Sequence, residues 1–159
     1  PSVLSFGKIQ ANGATNVIPD KVYIEGTFRT MDEEWRKAAH KKIMTIAEQT
    51  AIAMGGKCEV EIRKGYPFLV NDEELTAKAQ EAAELFLGKD NVVELDVRMT
   101  AEDFAYYSQE IPACFYRLGT AFKDKPNSGL HTPNFNIDEA AIETSIGLMS
   151  WLAINELTN

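Results

Sequence analysis

Apolar and polar positions alternate at the start of the chain, shift to helical spacing, then alternate again. Residues 3–10 predict a strand, and residues 11–20, with Gly13, Asn16 and Pro19, predict a loop. Over residues 21–30, Val22, Ile24 and Phe28 fall on one face, with Tyr23, Glu25, Thr27 and Arg29 on the other. A helix is predicted over residues 32–54, with Trp35, Ala39, Ile43, Ile46, Thr50 and Ala53 as its apolar stripe. Asp32 is its N-cap, and Gly55-Gly56 its left-handed stop. Residues 57–63 read as a further strand with Cys58, Val60 and Ile62 inward.

The order strand, strand, helix, strand leaves a layered α+β unit one strand and one helix short of covering its sheet. The chain also opens on Pro1-Ser2-Val3-Leu4, with neither an initiator Met nor a signal-peptide pattern. Both features predict a polypeptide truncated at its N-terminus. Gly65-Tyr66-Pro67 marks the expected boundary between a first domain, residues 1–66, and a second, residues 67–159.

In the second part, a helix is predicted over residues 72–87 on Leu75, Ala79, Ala82, Ala83 and Phe86, ended by Gly88. A short strand follows at 91–95. Thr100 and Asp103 resemble a capping box for a short helix holding Phe104 and Tyr107. Residues 112–118 read as a strand and residues 119–135 as a long loop. The last helix is predicted from Asn136, with Glu139 at its third position and Ile142, Ile146, Met149 and Ala153 as its stripe. The overall class is α/β.

Composition narrows the function. The 159 residues are 45% hydrophobic and 25% charged, the balance of a globular chain rather than a disordered one. No apolar run approaches the roughly 20 residues of a spanning helix. A net charge of −8 disfavours nucleic acid and anionic lipid as partners. Cys58 and Cys114 are too few for a disulfide framework and read as reduced thiols of a cytoplasmic protein.

Candidate chemistry is sparse, and residue by residue a structural explanation competes with each functional one. His40, within Arg36-Lys37-Ala38-Ala39-His40-Lys41-Lys42, reads as a solvated side chain. His131 lies in the loop Gly129-Leu130-His131-Thr132-Pro133, where a metal-binding or acid–base role competes with a locally hydrogen-bonded histidine. Glu102 and Asp103 are paired carboxylates suited to metal or proton work, or to the first turn of a helix. Arg29 is placed to clamp a carboxylate, or to pair with Glu25. Asn16 is placed to donate to an oxyanion, or to form an Asx turn before Pro19. No Gly-rich phosphate loop, GxSxG elbow or His-x-x-x-His pair is present.

Four ordered motifs carry a resemblance. These are Gly13-Ala14-Thr15-Asn16-Val17-Ile18-Pro19-Asp20, Glu25-Gly26-Thr27-Phe28-Arg29-Thr30, Met99-Thr100-Ala101-Glu102-Asp103-Phe104 and Leu130-His131-Thr132-Pro133-Asn134-Phe135. Together they resemble the metal-dependent aminoacylase, hippurate-hydrolase and carboxypeptidase amidohydrolases. The resemblance implies that residues 1–66 are part of a ferredoxin-like lid or dimerisation domain. Residues 67–159 would then close an α/β metallopeptidase domain. It implies metal ligation by His131, binding of a substrate α-carboxylate by Arg29, and an oxyanion or carbonyl contact from Asn16. Gly119 would line the substrate pocket, and Glu102 and Asp103 would shape the site.

The resemblance further implies two divalent ions, commonly zinc, with manganese or cobalt as alternatives. It implies a homodimer through the lid, and an N-acyl amino acid or peptide as substrate. One histidine cannot hold a catalytic zinc, which takes about three protein ligands. The expectation for this chain is therefore that it retains no metal and is inactive alone. A non-catalytic binding or dimerisation module, and a fragment without independent function, are the competing readings.

Overall fold

A computed structural model of the chain describes residues 1–158. It contains two compact units. One comprises residues 1–69 and 97–106, the other residues 70–96 and 107–159.

In the first unit, β1 (Ser2–Gln10) pairs antiparallel with β2 (Tyr23–Thr30), from Ser2 opposite Thr30 to Gln10 opposite Tyr23. The register slips between Phe6 and Lys8, a bulge that places Gly7 outside the ladder. Cross-strand side chains pair as the register demands. The Ser2 hydroxyl donates to Thr30 Oγ1 at 3.0 Å, and Lys8 Nζ donates to Glu25 at 3.3 Å.

Helix α1 (Glu33–Ala53) follows with the predicted ends. The Asp32 carboxylate accepts from the Trp35 N–H at 2.8 Å. Gly55, at φ 77°, lets its own N–H reach the Ile52 carbonyl while the Gly56 N–H reaches Ala51, a Schellman stop.

The inward face of α1 differs from the predicted stripe. Arg36 and Ala39 are buried and His40, Ile43, Ala47 and Ala51 half-buried, whereas Ile46 is 65% exposed. Arg36 turns inward because its charge is matched: it donates to the Glu33 carboxylate and, at 2.7 Å, to the Tyr66 carbonyl. His40, expected in solvent, packs edge-on against Phe28 with ring centroids 6.2 Å apart.

No ladder forms over residues 57–63, 91–95 or 112–118, correcting three predicted strands. A strand is a property of a hydrogen-bonded pair, and among the described residues these segments have no partner strand. The alternation itself survives at residues 57–63: Cys58, Val60 and Ile62 are half-buried and the residues between them exposed. Ion pairs Lys57–Glu59 and Arg63–Glu61, each 2.7 Å, line that exposed side two residues apart.

In the second unit, α2 (Glu73–Leu87) is capped by Asp72, whose carboxylate accepts from the Leu75 N–H at 2.9 Å, and stopped by Gly88 at φ 86°. A 3-10 turn, Lys89–Asn91, occupies the start of the predicted strand. The short helix α3 (Ala105–Glu110) begins in the first unit and ends in the second.

Helix α4 (Ala140–Thr158) packs on α2. It starts four residues later than predicted. The Asn136 amide is taken by the adjacent Ile137 N–H, and Asp138 supplies the cap by accepting from the Ala140 N–H at 3.1 Å. Leu148 is buried, with Ser145, Trp151, Leu152 and Asn155 half-buried. The predicted stripe of Ile142, Ile146 and Met149 is exposed. Trp151 decides the face, stacking on Phe86 at 6.3 Å and donating its indole N–H to the Ala82 carbonyl at 2.8 Å.

Candidate functional site

The six candidate residues fall into two groups, one in each unit. Asn16, Arg29, Glu102 and Asp103 belong to the first unit; Gly119 and His131 belong to the second.

Asn16 is a corner of a tight turn closed by both backbone bonds between Ala14 and Val17, at 3.0 and 3.1 Å. Gly13 makes the turn possible: a Cβ there would stand 2.5 Å from the Val17 carbonyl oxygen. The Asn16 side chain is exposed, and its amide has no partner among the described residues, so the Asx turn before Pro19 does not form.

Arg29 lies near the end of β2, opposite Val3. Its Nη1 donates to the Met99 carbonyl at 2.8 Å, tying the strand to the segment that carries Glu102 and Asp103. The alternative pairing with Glu25 is not made. Glu25 instead accepts from the Tyr23 phenol at 2.6 Å and from Lys8. The Tyr23 hydrogen bond, then that of Lys8, lowers the carboxyl pKa of Glu25. The same bond to Glu25 raises the Tyr23 phenol.

Glu102 is half-buried and Asp103 exposed. Their carbonyls accept from the Ala105 and Tyr106 N–H groups at 3.2 and 3.0 Å. These are three-residue bonds of a tight turn, so α3 begins beyond Asp103 rather than at it.

Gly119 is exposed, and a Cβ there would meet nothing. It opens the long loop that carries His131. The loop closes at its base, where the Asp138 N–H donates to the Thr120 carbonyl at 2.9 Å. His131 is exposed and is the single non-glycine residue with positive φ among the described residues, at 61°. The Thr132 hydroxyl donates across it to the Gly129 carbonyl at 2.8 Å.

Sequence reasoning missed two side chains that shape the second unit. The Asn71 amide pairs with both backbone groups of Phe115, and the Asn127 amide with both of Phe122. The available signal was weak, an asparagine in a loop being commonplace.

Residues 3–155 match the profile of Peptidase family M20/M25/M40. The chain belongs to this family. Among relatives of the M20 family chain, N-acetyl-L-cysteine deacetylase of Bacillus subtilis is 38% identical over 141 residues, 89% of this chain and 32% of its own length. A probable hydrolase of Synechocystis sp. is 36% identical over 155 residues, 96% of this chain and 39% of its own. The crystal structure of a dinuclear metal binding peptidase of the M20 family from Bacillus subtilis superposes with a TM-score of 0.77 at 31% identity. That match covers 99% of the M20 family chain described here and 42% of the neighbour. The chain thus spans well under half the length of these relatives.

Among the described residues, no three His, Cys, Asp or Glu side chains come together to hold a metal ion. His131 is one potential ligand of the M20 family chain and does not make a centre. Among those residues, no helix is long and apolar enough to cross a membrane.

Proposed function

We propose that this chain is the C-terminal portion of a metal-dependent hydrolase that cleaves the amide bond of an N-acyl amino acid or a peptide C-terminus. The family match across residues 3–155, spanning all four motifs, carries the reading. The name of the deacetylase relative supports a substrate of the N-acyl amino acid class.

In this reading residues 1–66 belong to a lid and residues 67–159 to the catalytic domain. Arg29 binds the substrate carboxylate. One of its nitrogens is engaged by Met99, and a guanidinium has five N–H donors, enough for both partners. The unpartnered amide of Asn16 donates to the substrate carbonyl oxygen as negative charge develops. Gly119 leaves room beside the loop for substrate, and Glu102 and Asp103 shape the approach to it.

His131 supplies one ligand to the divalent ions of the intact hydrolase, zinc, manganese or cobalt, whose other ligands lie outside the described residues. The intact protein is a cytoplasmic homodimer joined through the lid. The 159-residue chain alone is inactive.

The test is amino acid release from N-acetyl amino acids by the longer gene product, with and without chelator. Release that chelation and His131→Ala abolish supports the proposal. Release that survives both sinks it.

A further inference from the structure

His131 is held in place by its neighbours in sequence. Pro133 disfavours helical backbone at Thr132. The Thr132 hydroxyl nevertheless reaches back to the Gly129 carbonyl at 2.8 Å, and the Thr132 carbonyl accepts from the Phe135 N–H at 3.1 Å. Thr132 is thus bonded on both sides, and the chain reverses beside it at His131, which takes φ 61°. Glycine would adopt that conformation without cost, so a histidine held there by its neighbours marks a position where the imidazole matters.

The start of the same loop is clamped independently. The Asn127 amide accepts from the Phe122 N–H at 2.7 Å and donates to the Phe122 carbonyl at 3.0 Å. It satisfies both backbone groups of a residue that lies outside any strand. Together with the Asp138–Thr120 bond at the base, this fixes both flanks of the histidine turn.

We infer that Thr132 and Asn127 are positioning residues: Thr132 sets the backbone of His131, and Asn127 fixes the loop that presents it. The inference rests on the reading of His131 as a metal ligand. A ligating imidazole must arrive with its direction set, and groups that orient a ligand commonly change metal affinity about 10- to 100-fold.

The first experiment reads the backbone in the 159-residue chain. A strong intraresidue amide-to-Hα NOE at His131 reports left-handed backbone. Wild type and Thr132→Ser, which keeps the hydroxyl, show it; Thr132→Val, with the same shape and no hydroxyl, loses it. Unchanged amide shifts in α4 show that the unit remains folded. Asn127→Asp, which keeps the acceptor for Phe122 N–H and loses the donor, speeds hydrogen exchange across the loop.

The second experiment measures zinc affinity of the longer gene product by chelator competition. Thr132→Val weakens it about tenfold or more and Thr132→Ser restores it. An NOE that persists in Thr132→Val, with loop exchange unchanged in Asn127→Asp, overturns the positioning roles. An NOE lost with zinc affinity unchanged supports the positioning of the backbone and overturns the reading of His131 as a ligand.

Discussion

Arg29 donates from Nη1 to the carbonyl oxygen of Met99 at 2.8 Å, joining residues 70 positions apart in sequence. The bond couples the motif at the end of β2 to the one before α3. Both motifs therefore answer to one guanidinium, whose position reaches Glu102 and Asp103 through the intervening backbone.

Removing that bond loosens the second motif. Arg29→Ala should speed hydrogen exchange at the Ala105 and Tyr106 amides, which close the turn on Glu102 and Asp103. The site is exposed, so the cost to global stability stays at or below about 1 kcal/mol. Unchanged exchange at both amides contradicts the coupling.

His131→Gly separates strain from chemistry. Left-handed backbone costs a non-glycine residue about 1 kcal/mol or somewhat more, so glycine raises the stability of the second unit by about that amount. His131→Ala keeps the strain and gains nothing. Thermal unfolding of the two variants side by side decides the point.

Asn71 substitutes for a missing strand. Its half-buried amide accepts from the Phe115 N–H at 2.8 Å and donates to the Phe115 carbonyl at 3.0 Å. Asn71→Ala removes both bonds and should cost about 2 kcal/mol. Asn71→Asp retains one bond and should fall between it and wild type in denaturant midpoint.

Gly147 admits the Phe86 ring between α2 and α4. A Cβ at 147 would lie 2.8 Å from Phe86 Cζ, while the ring stacks on Trp151. In a Phe86→Ala background, Gly147→Ala should gain about 1 kcal/mol from helix propensity. With Phe86 present the displaced ring cancels that gain, so a double-mutant cycle reads a coupling of about the same size.

The hairpin should weaken at both extremes of pH. The Glu25 pKa is lowered in the folded chain, so its stabilising contribution is complete above its unfolded value and lost as pH falls through the folded one. The Tyr23 pKa is raised, so its contribution is complete below the unfolded value and lost as pH rises through the folded one. Following the Tyr23 ring resonances with pH should show both limbs, and Glu25→Gln should remove the acid limb.

Local signals in the sequence were enough for the ends of α1 and α2, the hairpin and the candidate loop. Asp32 and Asp72 cap their helices because an extended residue with a short carboxylate meets free N–H groups there, and Gly55 and Gly88 stop them because little else takes positive φ. The four motifs placed the chain in its family before any contact was known.

Tertiary structure alone decided the helix faces and the fate of the predicted strands. Helix α4 carries apolar residues all round, so periodicity cannot choose a side; Phe86 chose Trp151, leaving Ile146 65% exposed. Arg36 and His40 turned inward because Glu33, the Tyr66 carbonyl and Phe28 were there to receive them. Residues 57–63 kept their alternation and formed no ladder, because side-chain pattern belongs to one segment and a ladder to two. The left-handed backbone of His131 likewise follows from bonds to its neighbours, which its residue type alone does not disclose.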